Sequence, residues 1–404
     1  MFFSSSVVVT GVGAVTPLGG SAEELREGLM AGKDASGPVT LFDVAGCRCQ
    51  CAAEAQLPPP TRFTKKELAR LPRASRLAIP AAAEALAMAR LLDANGRCFF
   101  SHMSLSVSTT GGGMAFGEDF LRHVLARKRR GKLGTIARYQ PQQQVLDLQN
   151  YFGMSGHSVI LANACASGAN AVGHAADLIR SGAAECVLTG GFEALTELIF
   201  VGFDCLKASS PEKCRPFDVT RSGLILGEAA AFLVLETAAH AARRGIEPLC
   251  QLAGYGHATD LHHLTQPAPD GGALVRALTQ ATRQGNIAPH EIAYLNAHGT
   301  GTPMNDAAEA AAFRTFFGER WPRISSTKAS IGHTLGAAGA VEAVIAVQTL
   351  IEKQAPPQIN LQNPMPEMGD SLPRRGEMLP DARAVASVNL GFGGSNAALV
   401  FART

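Results

Sequence analysis

The sequence carries little that would suit it to a polyanion or a membrane. Charged residues make up 17% of its 404 positions, and 36 basic against 34 acidic side chains leave a net charge of +2. No global field therefore favours nucleic acid or an anionic lipid surface, and any acidic partner must be recognised locally. No uninterrupted apolar run reaches the roughly 18–20 residues that a membrane span requires. The opening MFFSSSVVVTG lacks the basic region of a secretory signal, so the expectation is a cytoplasmic protein with no membrane span. Nine cysteines at scattered spacings form no even framework, which favours reduced thiols over disulfides. Cys47, Cys49 and Cys51 alternate and are expected on one face of a strand. Tetrahedral zinc sites use wider spacings such as C-x2-C, so no metal is expected there.

What is abundant is small and apolar: 46% hydrophobic residues and 42 glycines. That composition fits a tightly packed α/β protein, and the length allows two or more domain-sized units. Val7 to Val9 read as a buried strand entering the turn Thr10-Gly11-Val12-Gly13, and Ser21 is a natural N-cap for a helix through Met30. Pro58-Pro59-Pro60 marks a surface connection. A helix is expected over 76–92 with Pro80 near its start.

The two halves of the chain resemble each other. Ser158 to Ala162 form a short apolar strand ending in Asn163-Ala164-Cys165, followed by a helical pattern. Ile292 to Leu295 form another, ending in Asn296-Ala297-His298, with a loop and helix after it. Each half also has glycine-punctuated strands and an Ala-rich helix, so an internal duplication is expected, with halves 1–247 and 248–404. On this reading His298 stands at the place equivalent to Cys165.

Cys165 lies where a strand passes into a helix, and unpaired amides there favour an anion and a lowered thiol pKa. Alone, such a cysteine is more often packing than catalysis. His298, His333 and Lys328 lie on or beside glycine-flanked turns after apolar strands, where side chains project from a rigid scaffold. The glycine-rich stretch Gly391-Phe392-Gly393-Gly394 precedes a last strand, Ala397 to Phe401. No helix follows it, so it is no dinucleotide fingerprint.

From VTGVGAVTPLG near the start, through NACASGAN, NAHGTGTPMND and STKASIGHTLGAAGAVE, to NLGFGGSN, the chain resembles an elongating β-ketoacyl-acyl-carrier-protein synthase of the thiolase superfamily. These motifs stand in the family's order over nearly the whole length. The resemblance implies a five-layered α-β-α-β-α fold of two similar halves, with the active site where they meet. It implies that Cys165 takes the acyl group as a thioester while the backbone N–H groups of Cys165 and Phe392 form an oxyanion hole. His298 and His333 then hold the malonyl carbonyl as neutral donors, and the enolate left by departing carbon dioxide attacks the acyl thioester. Lys328 tunes the histidine pair, Glu342 and Asp306 are supporting acids, Thr300 and Thr302 bind the phosphopantetheine arm, and Phe392 is a mobile gate. No metal or redox cofactor is implied.

The family's partners are acyl carrier protein and a second subunit, so a homodimer or a heterodimer with a chain-length-factor-like paralogue is expected. The run Arg127-Lys128-Arg129-Arg130-Gly131-Lys132, with Lys65, Lys66 and Lys207, is the expected carrier-protein docking surface. Thr110 is expected beside the acyl tunnel, and the segment near Phe203 is expected to close the partner's tunnel. Ser222-Gly223-Leu224, Ala229-Ala230-Ala231 and Leu390 depart from the usual elongation pattern. They leave room for a type II polyketide or aryl-polyene ketosynthase. The competing reading is a non-catalytic chain-length-factor-like subunit, which normally lacks the nucleophilic cysteine. Thiolases and initiation-type synthases do not carry this Cys-His-His set.

Overall fold

The computed structural model describes residues 6–58, 65–68, 70–127 and 133–404. The first strand, β1 (Val7–Val15), is buried at all nine positions, as expected of a strand covered on both faces. Helix α1 (Ala22–Met30) follows, and the Ser21 hydroxyl caps it by accepting the Glu24 amide at 3.1 Å. Helix α2 (Arg73–Met88) starts three residues before the expected position, and Pro80 lies in its interior. A tertiary anchor explains the early start: the Arg73 guanidinium grips the Glu228 carboxylate at 2.6 and 2.7 Å. The helix stops where Arg90 takes a positive φ of 52°.

The further elements of the first half that frame the site are β2 (Ser104–Ser108), β3 (Ser158–Leu161), α3 (Ser167–Arg180), β4 (Cys186–Glu193), α4 (Glu197–Cys205) and β5 (Ala229–Thr237). The second half has β6 (Cys250–Thr259), α5 (Gly272–Gly285), β7 (Ile292–Asn296), α6 (Pro303–Phe317), β8 (Arg323–Ser325), α7 (Ala338–Glu352), β9 (Ala384–Leu390) and β10 (Ser395–Ala402).

Five strands in the order β1-β5-β4-β2-β3 and five in the order β6-β10-β9-β7-β8 meet through a two-residue pairing of β1 with β6, Val8 to Gln251 and Val9 to Cys250. The two sets repeat each other strand for strand. In each, the first two pairings are antiparallel and the last two parallel. Helix α2 covers the outer face of the first set, α5 that of the second, and α3 packs on α7 between them. The result is the expected thiolase-like α-β-α-β-α arrangement.

The same close approach recurs in both halves. A Cβ on Gly11 or Gly13 would lie 2.1 or 2.2 Å from the carbonyls of Ala85 and Ala81 on α2. On β6, Gly254 and Gly256 stand in the same relation to Ala281 and Ala277 on α5, at 1.9 and 2.0 Å. Only glycine lets helix backbone lie this close to a strand.

This topology corrects the equivalence read from the sequence. Cys165 follows β3, whose counterpart is β8. The residues preceding α7 as Cys165 precedes α3 are Leu335-Gly336-Ala337, and both segments are 3-10 turns entered through a positive φ, 57° at Ala164 and 48° at Leu335. His298 follows β7, the counterpart of β2, so its own counterpart is Thr110. The Asn-Ala-X pattern stands at the ends of non-equivalent strands.

Helix α7 is buried nearly all round. The one stretch among the described residues long and apolar enough to cross a membrane, Leu335–Glu352, is 83% buried here as the central helix. The cysteine cluster does not form a single strand: only Cys51 enters one, Cys51–Ala53. The amides of Arg48 and Cys49 instead donate to the Asp204 carboxylate, each at 2.9 Å, which folds that segment into turns. All nine cysteines are free thiols.

Candidate active site

Cys165 sits in the tight turn between β3 and α3, 5% exposed. Ser167 pins the turn: its hydroxyl donates to the Ala164 carbonyl at 2.5 Å and accepts the Asn163 amide at 2.8 Å. The backbone amides of Cys165 and Phe392 lie where they favour an anion on Sγ. Positive φ angles of 79° and 81° at Gly393 and Gly394 shape the loop that presents Phe392.

The second half supplies the histidines. His333 Nε2 lies 3.0 Å from Cys165 Sγ. On the other side of the ring, Nδ1 accepts the Leu335 amide at 3.2 Å, so the neutral ring carries its proton on Nε2 and aims it at the sulfur. The His298 ring stands edge-on to His333 with centroids 5.2 Å apart. Glu309 positions it by accepting the amides of His298 at 2.8 Å and Gly299 at 2.6 Å. His298 Nδ1 is buried with no hydrogen-bond partner among the described residues.

Burial, then the charge of Lys328, holds both imidazoles well below the usual histidine range, with mutual repulsion adding to the effect at His298. Both are therefore neutral at physiological pH. The thiol does not behave as the turn position suggested. Burial outweighs the Lys328 charge and the two amides, and the Cys165 thiol is pushed up to about 11.

Lys328, 1% exposed, donates to Glu342, and Asn389 donates to the other oxygen of that carboxylate at 2.6 Å. The three form a buried chain behind the histidines. Asp306 is further back. It accepts the amides of Phe217 at 2.8 Å and Gly301 at 3.2 Å, so it shapes the loop carrying Thr300.

A cleft of about 230 Å³ leads from the thiol to the surface. Thr300 and Thr302 stand on its wall with hydroxyls 2.9 Å apart, and Leu224 and Leu390 line it, so two of the departures from the usual pattern border the substrate path. Phe203 stacks on Phe392, 5.6 Å between centroids, and lines the cleft of its own chain. Lys207 is exposed at the mouth. Thr110 does not border this cleft; it is exposed, and its amide donates to Glu193.

Of the basic surface, Lys128, Arg129, Arg130 and Lys132 lie outside the described residues. Lys65 and Lys66 belong to the short helix Lys65–Leu68, and Arg127 ends the helix Met114–Arg127.

Sequence reasoning missed Glu309, Asn389 and the loop 260–267. Glu309 is a second buried acid on the Ala-rich helix α6, one turn after Asp306, and an acid on a helix face of small apolar residues is the signal that could have found it. The loop clasps the gate through its backbone: Gly393 donates to the Leu264 carbonyl and Asp260 to the Gly394 carbonyl, both at 2.7 Å.

Comparisons with known proteins show the family. Residues 4–241 match the beta-ketoacyl synthase N-terminal domain and residues 249–362 its C-terminal domain. A 3-oxoacyl-[acyl-carrier-protein] synthase 2 of Synechocystis is 34% identical, the match covering 98% of this chain and 97% of that protein. Among solved structures, the ishigamide ketosynthase/chain length factor superposes with a TM-score of 0.91 at 29% identity, covering 99% of this chain and 100% of that one. A type II polyketide acyl-carrier protein in complex with its ketosynthase bound to the hexaketide gives 0.90 at 26%, with the same coverage. The chain belongs to the beta-ketoacyl synthase family of condensing acyltransferases.

Proposed function

We propose that Cys165 accepts an acyl group from acyl carrier protein and that His298 and His333 direct a decarboxylative condensation with malonyl-acyl carrier protein, giving 3-oxoacyl-acyl carrier protein. The observation carrying this reading is the aim of His333: a proton on Nε2, 3.0 Å from the thiol, with Nδ1 tied to the backbone. In the first half-reaction the Cys165 sulfur attacks the thioester carbonyl and the amides of Cys165 and Phe392 hold the oxyanion. Collapse breaks the carrier's C–S bond, and its sulfur leaves as a thiol carrying the proton that Cys165 gave up on attack. In the second, the malonyl thioester oxygen lies between two neutral imidazole donors. Departure of carbon dioxide leaves its electron pair in an enolate that these donors stabilise. The carbanion attacks acyl-Cys165, and the cysteine sulfur leaves.

Neutral donors suit this chemistry. An enolate needs oriented hydrogen bonds rather than a strong base, and burial keeps both rings unprotonated. Thr300 and Thr302 guide the pantetheine arm, Lys207 and the basic segment around 127–132 attract the acidic carrier, and the Phe392 gate opens against Phe203.

The likeness to the ishigamide and hexaketide-bound ketosynthases, with Leu224 and Leu390 on the cleft wall, favours a type II polyketide or aryl-polyene substrate in the cytoplasm. The edge strand β3 leaves Val159, Ile160 and Leu161 only half-buried, which suits pairing with a second subunit. The halves divide at 247/248, in the loop before β6.

A turnover assay with a primer panel, malonyl-acyl carrier protein and a candidate chain-length partner tests the proposal. Ketoacyl products that disappear with Cys165→Ala support it. Full turnover by that variant would refute the assigned nucleophile, and equal use of saturated fatty primers would refute the specialisation.

A further inference from the structure

The repeat of the two halves exposes a second turn built like the nucleophile's own. Leu335-Gly336-Ala337 enters α7 as Ala164-Cys165-Ala166 enters α3, with the same positive φ at its first residue. Gly336 therefore occupies the nucleophile's position in the second half and has no side chain to react. Its amide is not idle. Glu193, at the end of β4 and fully buried, accepts the Gly336 amide at 3.0 Å and the Thr110 amide at 2.7 Å on one carboxylate oxygen. The other oxygen accepts the Gly111 amide at 2.7 Å and the Thr109 hydroxyl at 3.2 Å.

An internal carboxylate thus stands where the sister site would hold an oxyanion. The far side of the same segment is held too, because the Ser108 hydroxyl donates to the Gly336 carbonyl at 2.8 Å. There is no slack around Gly336. A Cβ there would meet the Thr110 nitrogen at 2.5 Å and a Glu193 oxygen at 2.8 Å.

The segment so fixed reaches the active centre in one residue. Leu335, immediately before Gly336, donates its amide to His333 Nδ1, and the Nε2 of that ring faces Cys165. We infer that Glu193 is a positioning residue: by anchoring the Gly336 amide it holds the Leu335 amide against His333 Nδ1, and so keeps His333 as the Nε2–H tautomer that donates toward the reaction centre.

The role rests on the condensing function proposed above, but its physical core, the ring tautomer, is readable without substrate. Loss of a hydrogen bond to a charged group in such a chain is felt along it. Replacing the carboxylate with an amide puts an NH2 group against backbone N–H donors, which must turn away.

The test uses the full-length protein with 15N-labelled histidine, the His333 ring signals being assigned by their loss in His333→Asn. Wild type is expected to show a protonated Nε2 and an unprotonated Nδ1. Glu193→Gln is expected to mix the tautomers and to lower kcat for malonyl-thioester decarboxylation by about tenfold, with KM changed less than about twofold. Glu193→Asp is expected to recover part of both. A wild-type His333 protonated on Nδ1 overturns the inference, whether or not any variant folds. So does a folded Glu193→Gln protein with unchanged tautomer and rate. An enzyme inert toward every primer, yet with the Glu193-dependent tautomer, would remove the proposed function and leave this inference standing.

Discussion

The ionisation of Cys165 offers a quantitative test. Its thiol is pushed up to about 11 because burial outweighs the Lys328 charge and two amides. At pH 7 the ionised fraction is then on the order of 10⁻⁴, a cost of roughly 5 kcal/mol at 1.36 kcal/mol per pKa unit. Since the thiolate is the nucleophile, alkylation by iodoacetamide, followed by intact mass, should quicken about tenfold per pH unit from pH 7 to about pH 10. His298 and His333 are held well below the usual range, so they change charge outside this interval and add no inflection. Lys328→Met removes the largest influence opposing burial, so its profile should move to higher pH and its rate at pH 7 should fall. A rate that is level from about pH 7 to pH 9 would refute the reasoning, since it would mean a thiolate already paired with a protonated His333.

In the second half-reaction as proposed, the histidines set the acid limb. The donor form is neutral, and because both rings are pulled below the usual range the active form persists as pH falls until their lowered pKa values are reached. Carbon dioxide release from malonyl-acyl carrier protein should therefore stay flat between about pH 6.5 and 8, and an acid limb centred at or above about 6.5 would contradict this. The buried Lys328–Glu342 pair gives a stability prediction. Glu342→Leu strands an ammonium in the core and should cost about 3–5 kcal/mol in denaturant unfolding, whereas a loss under about 1 kcal/mol would mean that the charge finds water or another partner.

Local signals were the legible ones. Ser21 capped its helix as read, because an N-cap needs only the residues that follow it. The strands ending near Cys165 and His298 were readable from short apolar runs, and the five motifs located the Cys-His-His set. What failed depended on distant residues. The start of α2 is fixed by Arg73 meeting Glu228, 155 positions away. The equivalence of the halves is set by which strands are neighbours, so the recurring Asn-Ala-X pattern misled. The thiol pKa reflects burial built from both halves, since Cys165 and its neighbour His333 are 168 positions apart. The contact of Phe203 with Phe392 became visible only in the fold.

The most direct test of the account is the mass of the intact protein after exposure to acyl-acyl carrier protein and then to malonyl-acyl carrier protein. The account predicts one acyl adduct per chain, absent in Cys165→Ala, that is discharged into a ketoacyl product by wild type and retained by a His298→Ala, His333→Ala double variant. No adduct with any primer, alone or with a partner subunit, would contradict it, as would an adduct that the double variant discharges at the wild-type rate.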